Sequence, residues 1–170
     1  KADYYLVDLS NSEVKKIRDE GKIRLVEFSP DASMISYFYE NNLYLLKDGK
    51  TNNISLDGKI NSVINGSSDW VYEEEFDVRK LYVWSPDSKN IAYLKFNESE
   101  VKPYNIFYYD SIYPQNAEIK YPKAGEKNSV VSLNIYNCEK NNSIKVEIPY
   151  DYEYIPRLMW SNSNNELIFW

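Results

Sequence analysis

The chain has 170 residues, enough to bury a sizeable core as one domain, and its 43% hydrophobic and 27% charged residues form an ordinary globular balance that excludes disorder. A net charge of −6 with no basic cluster excludes a nucleic-acid partner, because phosphate binding needs a basic face. Without histidine, and with Cys138 as the single cysteine, the chain can build no Ser-His-Asp or Cys-His nucleophile, no histidine-ligated zinc site and no internal disulfide.

The aromatic content is unusual, with 17 Tyr, 6 Phe and 4 Trp against 5 Gly, and such a composition favours sheets. No Gly-x-Ser-x-Gly elbow, phosphate loop or dinucleotide glycine fingerprint occurs, so neither a cofactor nor a metal is expected. No apolar run approaches membrane-spanning length, and no signal peptide is visible. The chain opens in the strand-like Tyr4-Tyr5-Leu6-Val7 and closes in the apolar Leu167-Ile168-Phe169-Trp170. A chain ending on such a strand exposes a hydrophobic edge, so the expectation is a piece of a longer protein.

In chain order, residues 4–9 and 14–17 alternate around Ser10-Asn11-Ser12 and predict a hairpin. Leu25 to Phe28 reads as a strand stopped by Ser29-Pro30-Asp31, and Met34 to Tyr39 as its partner. Asn41-Asn42 turns the chain into Leu43 to Leu46, and Asp48-Gly49 turns it again toward Ile54-Ser55-Leu56. These strands form a meander.

The same phrase then returns. Val83-Trp84-Ser85-Pro86-Asp87 repeats Glu27-Phe28-Ser29-Pro30-Asp31, with Ile91 to Leu94 standing where the first copy has Ile35 to Phe38. Met159-Trp160-Ser161-Asn162-Ser163 followed by Glu166 to Phe169 is a weaker third copy. The spacing is 56 positions from Pro30 to Pro86 and 76 from Trp84 to Trp160. Four-stranded units repeating at about 40–50 residues, lengthened by insertions, predict an all-β fragment of a β-propeller. About two full four-stranded blades plus parts of two others fit into the chain, with Tyr37, Phe38, Trp84 and Tyr93 in the core.

Two segments interrupt the meander. Asp69-Trp70-Val71-Tyr72-Glu73-Glu74-Glu75-Phe76 follows a turn rich in helix-capping residues and predicts a short helix bearing three carboxylates. On charge alone these are a solvated acidic turn, with Trp70 and Tyr72 packing the helix onto its blade. Asn97 to Lys127 is too long for a hairpin loop and predicts a projecting two-stranded arm built from Tyr104 to Tyr109 and Ala117 to Pro122. An exposed tyrosine-rich arm calls for a partner to cover it.

Asp69 to Glu75, Val83 to Ser88, Phe96 to Val101 and Tyr121-Pro122-Lys123-Ala124-Gly125 together resemble the N-terminal propeller of the dipeptidyl peptidase IV family, and Tyr154-Ile155-Pro156-Arg157 with Trp160 is similar to its bacterial branch. The resemblance implies that 1–170 is part of an N-terminal propeller domain whose partner, a C-terminal α/β-hydrolase domain with Ser, Asp and His, is absent from this chain. It implies a serine exopeptidase removing N-terminal X-Pro, sometimes X-Ala, dipeptides, and a chain that is catalytically inert alone. No catalytic residue lies in this stretch; Glu74 and Glu75 carry over as the substrate-binding pair that holds the α-ammonium group of the peptide. The arginine that accompanies this pair in the family corresponds to a position before Lys1, which Arg18 and Arg24 do not match. The arm 97–127 is similar to the family's dimer-forming extension, implying a homodimer of the parent, and the bacterial members imply an exported protein, periplasmic or at the cell surface. Two alternatives stay open: a non-enzymatic propeller acting as a protein-interaction scaffold, and a tripeptidyl or acylaminoacyl peptidase relative.

Overall fold

The computed structural model describes all residues, 1–170. The chain begins with β1 (Tyr5–Asp8) and β2 (Glu13–Lys16), an antiparallel hairpin in which Tyr5 faces Lys16 and Asp8 faces Glu13. Asp8 closes its turn by accepting the Ser10 amide at 2.8 Å.

The first blade is an antiparallel sheet of β3 (Arg24–Phe28), β4 (Met34–Tyr39), β5 (Asn42–Lys47) and β6 (Lys50–Asn53), in that order. Its tight turns have positive φ at both central positions, Glu40 (45°) with Asn41 (61°), and Asp48 (51°) with Gly49 (71°). That geometry matches the right-handed twist of the flanking strands. Because the second turn spans only two residues, Lys50 pairs at once with Lys47, and the fourth strand is Lys50–Asn53 instead of the expected 54–56. Ile54 continues the ladder through its amide to the Leu43 carbonyl at 3.0 Å before the chain leaves the sheet.

The second blade holds β7 (Val63–Asn65), α1 (Trp70–Phe76), β8 (Tyr82–Trp84), β9 (Asn90–Asn97), β12 (Val130–Asn137) and β13 (Asn142–Lys145), with the arm strands β10 (Pro103–Tyr108) and β11 (Gln115–Lys120) between β9 and β12. Both β7 and β8 pair with β9, at Asn97 to Lys95 and at Tyr93 to Ile91 respectively. They occupy one strand position of the blade, split where the α1 segment leaves and returns. The arm forms its own two-stranded sheet, Pro103 opposite Lys120 and Tyr108 opposite Gln115. Last come β14 (Leu158–Trp160) and β15 (Leu167–Phe169), a hairpin that starts another blade. Two full blades and parts of two others are therefore present.

The repeated phrase is a repeated turn. Ser29, Ser85 and Ser161 each donate their amide five residues on, to Met34, Asn90 and Glu166, at 2.9, 2.8 and 2.8 Å. Three residues after each serine stands a left-handed residue, Ala32 (φ 59°), Ser88 (φ 61°) and Asn164 (φ 64°). The blades are joined by polar contacts as well as apolar ones. The Trp84 indole donates to Ser36 Oγ at 2.9 Å, and the Trp160 indole to the Val83 carbonyl at 3.1 Å, so each tryptophan reaches into the preceding blade. Around them a single cluster of 20 buried apolar residues, including Phe38, Leu43, Tyr72, Tyr93 and Phe96, runs through both blades. Tyr37, Phe38, Trp84 and Tyr93 are buried as the repeat predicts.

Candidate functional site

The site is built on the split strand. At its root Gly66 has φ 76°, and an added Cβ would stand 2.3 Å from Leu43 of the neighbouring blade, so only glycine fits this close approach. The Gly66 amide donates to the Leu94 carbonyl at 2.7 Å, and the Leu81 amide returns to the Gly66 carbonyl at 3.1 Å. Ser68 then donates its amide to Arg79 at 3.3 Å, which makes a short antiparallel stem from which α1 projects.

A seven-residue helix is marginal without tertiary support. Here Asp69 is the N-cap: one carboxylate oxygen accepts the Tyr72 amide at 3.0 Å, and the other accepts the Ser129 hydroxyl at 2.6 Å. Asp77, left-handed at φ 50°, ends the helix. Val71 and Tyr72 form the buried face. The Tyr72 ring is only 1% exposed and meets Phe96 edge-on at 4.7 Å and Phe76 at 5.1 Å, while its hydroxyl accepts the Ile155 amide at 2.7 Å. Burial raises the Tyr72 phenol above its ordinary range, so it stays protonated. Trp70 departs from expectation. It is half-buried and lies on Tyr121 at the base of the arm, with ring centroids 4.2 Å apart, instead of on its own blade. Tyr121 in turn meets Tyr104 at 5.4 Å, so helix and arm share one aromatic stack.

The three glutamates are not equivalent. Glu73 pairs with Arg79, Nε to Oε1 at 3.2 Å. Glu74 and Glu75 are exposed, and neither side chain has a hydrogen bond or ion pair. Glu75 lines an open groove of about 710 Å³ together with Trp70, Phe76, Lys123 and Tyr154. The Arg157 guanidinium donates to the Phe76 carbonyl at 3.1 Å, a cation at the negative end of the helix. Sequence reasoning did not find Arg79, Arg157, Ser129 or Tyr121 as supports for α1. Apart from Arg79 they lie far along the chain, and although Tyr121 and Arg157 stand in blocks that drew notice, nothing local ties either to the helix.

A second buried carboxyl feels the charge of the N-cap Asp69. Glu98, at the foot of the arm, is 5% exposed; burial and then the neighbouring Asp69 push it up to about 7, against the opposing pull of Lys120. Its folded value exceeds the ordinary 4.5, so between about 4.5 and 7 the folded chain keeps a proton that the unfolded chain has released. Stability should therefore fall as pH rises through that window. Glu98→Gln is expected to flatten that fall, stabilising the protein most at pH 8 and little at pH 4; thermal midpoints across the pH range would check this, and an unchanged pH slope would contradict it.

No group of three metal-binding side chains is present, and Cys138 is buried, with its thiol pushed up to about 12 chiefly by burial. What the helix presents to solvent is a pair of adjacent carboxylates, Glu74 and Glu75, without partners of their own. Together, the repeated blades, the helix on a split strand and the projecting arm define a fragment of a β-propeller. The chain belongs to the dipeptidyl peptidase IV family: the model for the "Dipeptidyl peptidase IV (DPP IV) N-terminal region" matches residues 1–170. It is 36% identical over 182 residues to the prolyl endopeptidase FAP of Mus musculus, covering 99% of this chain and 24% of the relative. It is 31% identical to the dipeptidyl peptidase 4 of Trichophyton rubrum, covering 98% of this chain and 23% of that protein. The crystal structure of Porphyromonas gingivalis dipeptidyl peptidase 4 matches 97% of this chain with a TM-score of 0.92 at 40% identity, again over 24% of that protein's chain. The chain therefore spans about a quarter of the length of its relatives.

Proposed function

We propose that this chain is the substrate-recognition part of a serine exopeptidase that removes N-terminal X-Pro or X-Ala dipeptides. In this reading 1–170 belongs to the N-terminal propeller domain, and the catalytic Ser, Asp and His lie in a C-terminal α/β-hydrolase domain elsewhere in the parent. The observation that carries it is the division of labour on α1. Of its three adjacent glutamates Glu73 is neutralised by Arg79, whereas Glu74 and Glu75 stand exposed and unpaired on a helix that is capped and pinned.

Successive residues of a helix lie about 100° apart, following from roughly 3.6 residues per turn, so adjacent carboxylates approach one cation from different sides. An α-ammonium group, with three N–H donors and one charge, fits between them. Fixing the peptide's N-terminus there sets which bond reaches the serine, and an acetylated N-terminus loses the charge and two of the three donors. The test is hydrolysis of an X-Pro amide by the full-length protein, with the N-terminus free or acetylated. Cleavage of the free-amine form alone supports the reading; equal cleavage of both, or of neither, removes it. Activity confined to longer unblocked or acylated peptides would point to the tripeptidyl or acylaminoacyl alternative, and no peptidase activity at all to a scaffold.

The arm supplies the second part of the proposal, a homodimer of the parent. Tyr104, Phe107, Tyr108, Tyr109, Ile112 and Tyr113 are exposed along it, an apolar surface of the kind that marks a protein partner. Deleting Lys102 to Tyr121 is expected to shift the full-length protein from dimer to monomer in sedimentation; a persistent dimer would place the interface elsewhere.

A further inference from the structure

Leu25 has φ 53°, a left-handed conformation that a branched side chain rarely adopts and that costs energy unless its surroundings impose it. It sits at a bulge. Glu27 pairs with Ser36, so an unbroken ladder would set Arg24 opposite Tyr39, but the register shifts and Arg24 faces Phe38. A shift of one residue turns a side chain to the other face of the sheet, and bulges of this kind re-aim side chains beside functional sites. The hydroxyl of the fully buried Tyr82, from the second blade, donates to the Leu25 carbonyl and holds the bulge.

The re-aimed Arg24 reaches across to the second blade. Its guanidinium lies 4.4 Å from the Phe38 ring centroid, and Nη2 donates to Ser67 Oγ at 3.0 Å. Ser67 is fully buried in the stem that carries α1, and its hydroxyl donates to the Arg79 carbonyl at 3.2 Å. Arg79 is the residue that holds Glu73. One chain of contacts thus runs from the bulge through Arg24, Ser67 and Arg79 to the helix. Burial is the main influence on Arg24, with the Glu73 carboxylate favouring its charge and Arg79 opposing it. Its Nε is buried without a partner, so the guanidinium is held there at a cost that packing on Phe38 alone would not require. A methionine would pack on the ring without that cost.

We propose that Arg24 is a positioning residue for ammonium recognition: through Ser67 it fixes the stem of the α1 insertion and so the place at which Glu74 and Glu75 meet the ligand. This rests on the anchoring role proposed for those two glutamates. It touches neither the ligand nor the reacting bond.

The test is steady-state kinetics of the full-length protein on a free-amine X-Pro amide, comparing Arg24→Met, Ser67→Ala and the double variant. Each single change is expected to raise KM about fivefold with kcat within twofold of the parent, and the double variant to do no worse than the stronger single, because both break one contact. Arg24→Lys, which keeps a charge and a donor, should recover part of the loss, and it carries the test with Ser67→Ala if Arg24→Met does not fold. A KM unchanged by these variants, a fall in kcat equal to the rise in KM, or fully additive losses would overturn the inference. Glu74→Gln and Glu75→Gln in the same assay separate the two claims: if they raise KM and the Arg24 variants do not, the positioning role alone fails; if they too leave KM unchanged, the anchor fails and the inference with it.

Discussion

Changing Glu74 or Glu75 to Gln in the full-length protein is expected to lower kcat/KM for a free-amine X-Pro amide by about 10- to 100-fold each. A hydrogen bond to a charged group is worth about 1.5–3 kcal/mol, and a tenfold change corresponds to about 1.4 kcal/mol. Gln keeps the size and one acceptor while removing the charge, so the change isolates electrostatics from shape. Neither glutamate supports the fold, since both are exposed and unpartnered, and the thermal midpoint should stay within a degree or two of the parent. Glu73→Gln is the internal control. Its carboxylate is already engaged by Arg79, so its loss is expected to cost less than about threefold. Equal effects at all three positions would contradict the division of labour on which the site rests.

The second large effect is on stability. Tyr72→Ala is expected to destabilise the protein by about 3–5 kcal/mol, the usual cost of removing a large buried aromatic ring. The ring joins Phe96 of the blade to Phe76 of the helix, and its hydroxyl accepts the buried Ile155 amide. Tyr72→Phe separates the two contributions. It keeps the packing and leaves that amide unsatisfied, at about 1–3 kcal/mol. Urea unfolding of the three proteins would measure both. A loss below about 1 kcal/mol for Tyr72→Ala would mean that α1 is not held through this ring. Because the ring also fixes the helix that carries Glu74 and Glu75, KM should rise in both variants.

Much of the fold was legible in the sequence because local chemistry dictates it. The Ser-Pro-Asp turns recur with the same left-handed residue three places on, and Asp48-Gly49 supports a two-residue hairpin. The helix over 70–76 was equally legible, since Asp69 can cap it and Tyr72 and Phe76 fall on one face. What escaped was set by tertiary geometry. Nothing in Arg24-Leu25-Val26 announces a bulge, which exists because Tyr82, 57 residues later, binds the Leu25 carbonyl. Trp70 looked like a blade contact, yet its partner Tyr121, at the base of the arm, lies 51 residues further along the chain, where no periodicity could place it. The fourth strand of the first blade was misplaced by a few residues because Ile54 is buried like a strand residue although the ladder starts at Lys50. Of the site itself, the sequence marks the carboxylates; the structure adds that Glu73 is paired with Arg79 while Glu74 and Glu75 stand unpaired.

Receipt of a peptide's α-ammonium group is the role proposed for Glu74 and Glu75. It is tested most directly by a crystal structure of the full-length protein with an X-Pro dipeptide bound. The dipeptide's terminal nitrogen is expected within about 2.7–2.9 Å of a carboxylate oxygen from each of Glu74 and Glu75, with Glu73 still on Arg79. A terminal nitrogen bound elsewhere, or held by Glu73 in place of either neighbour, would contradict it.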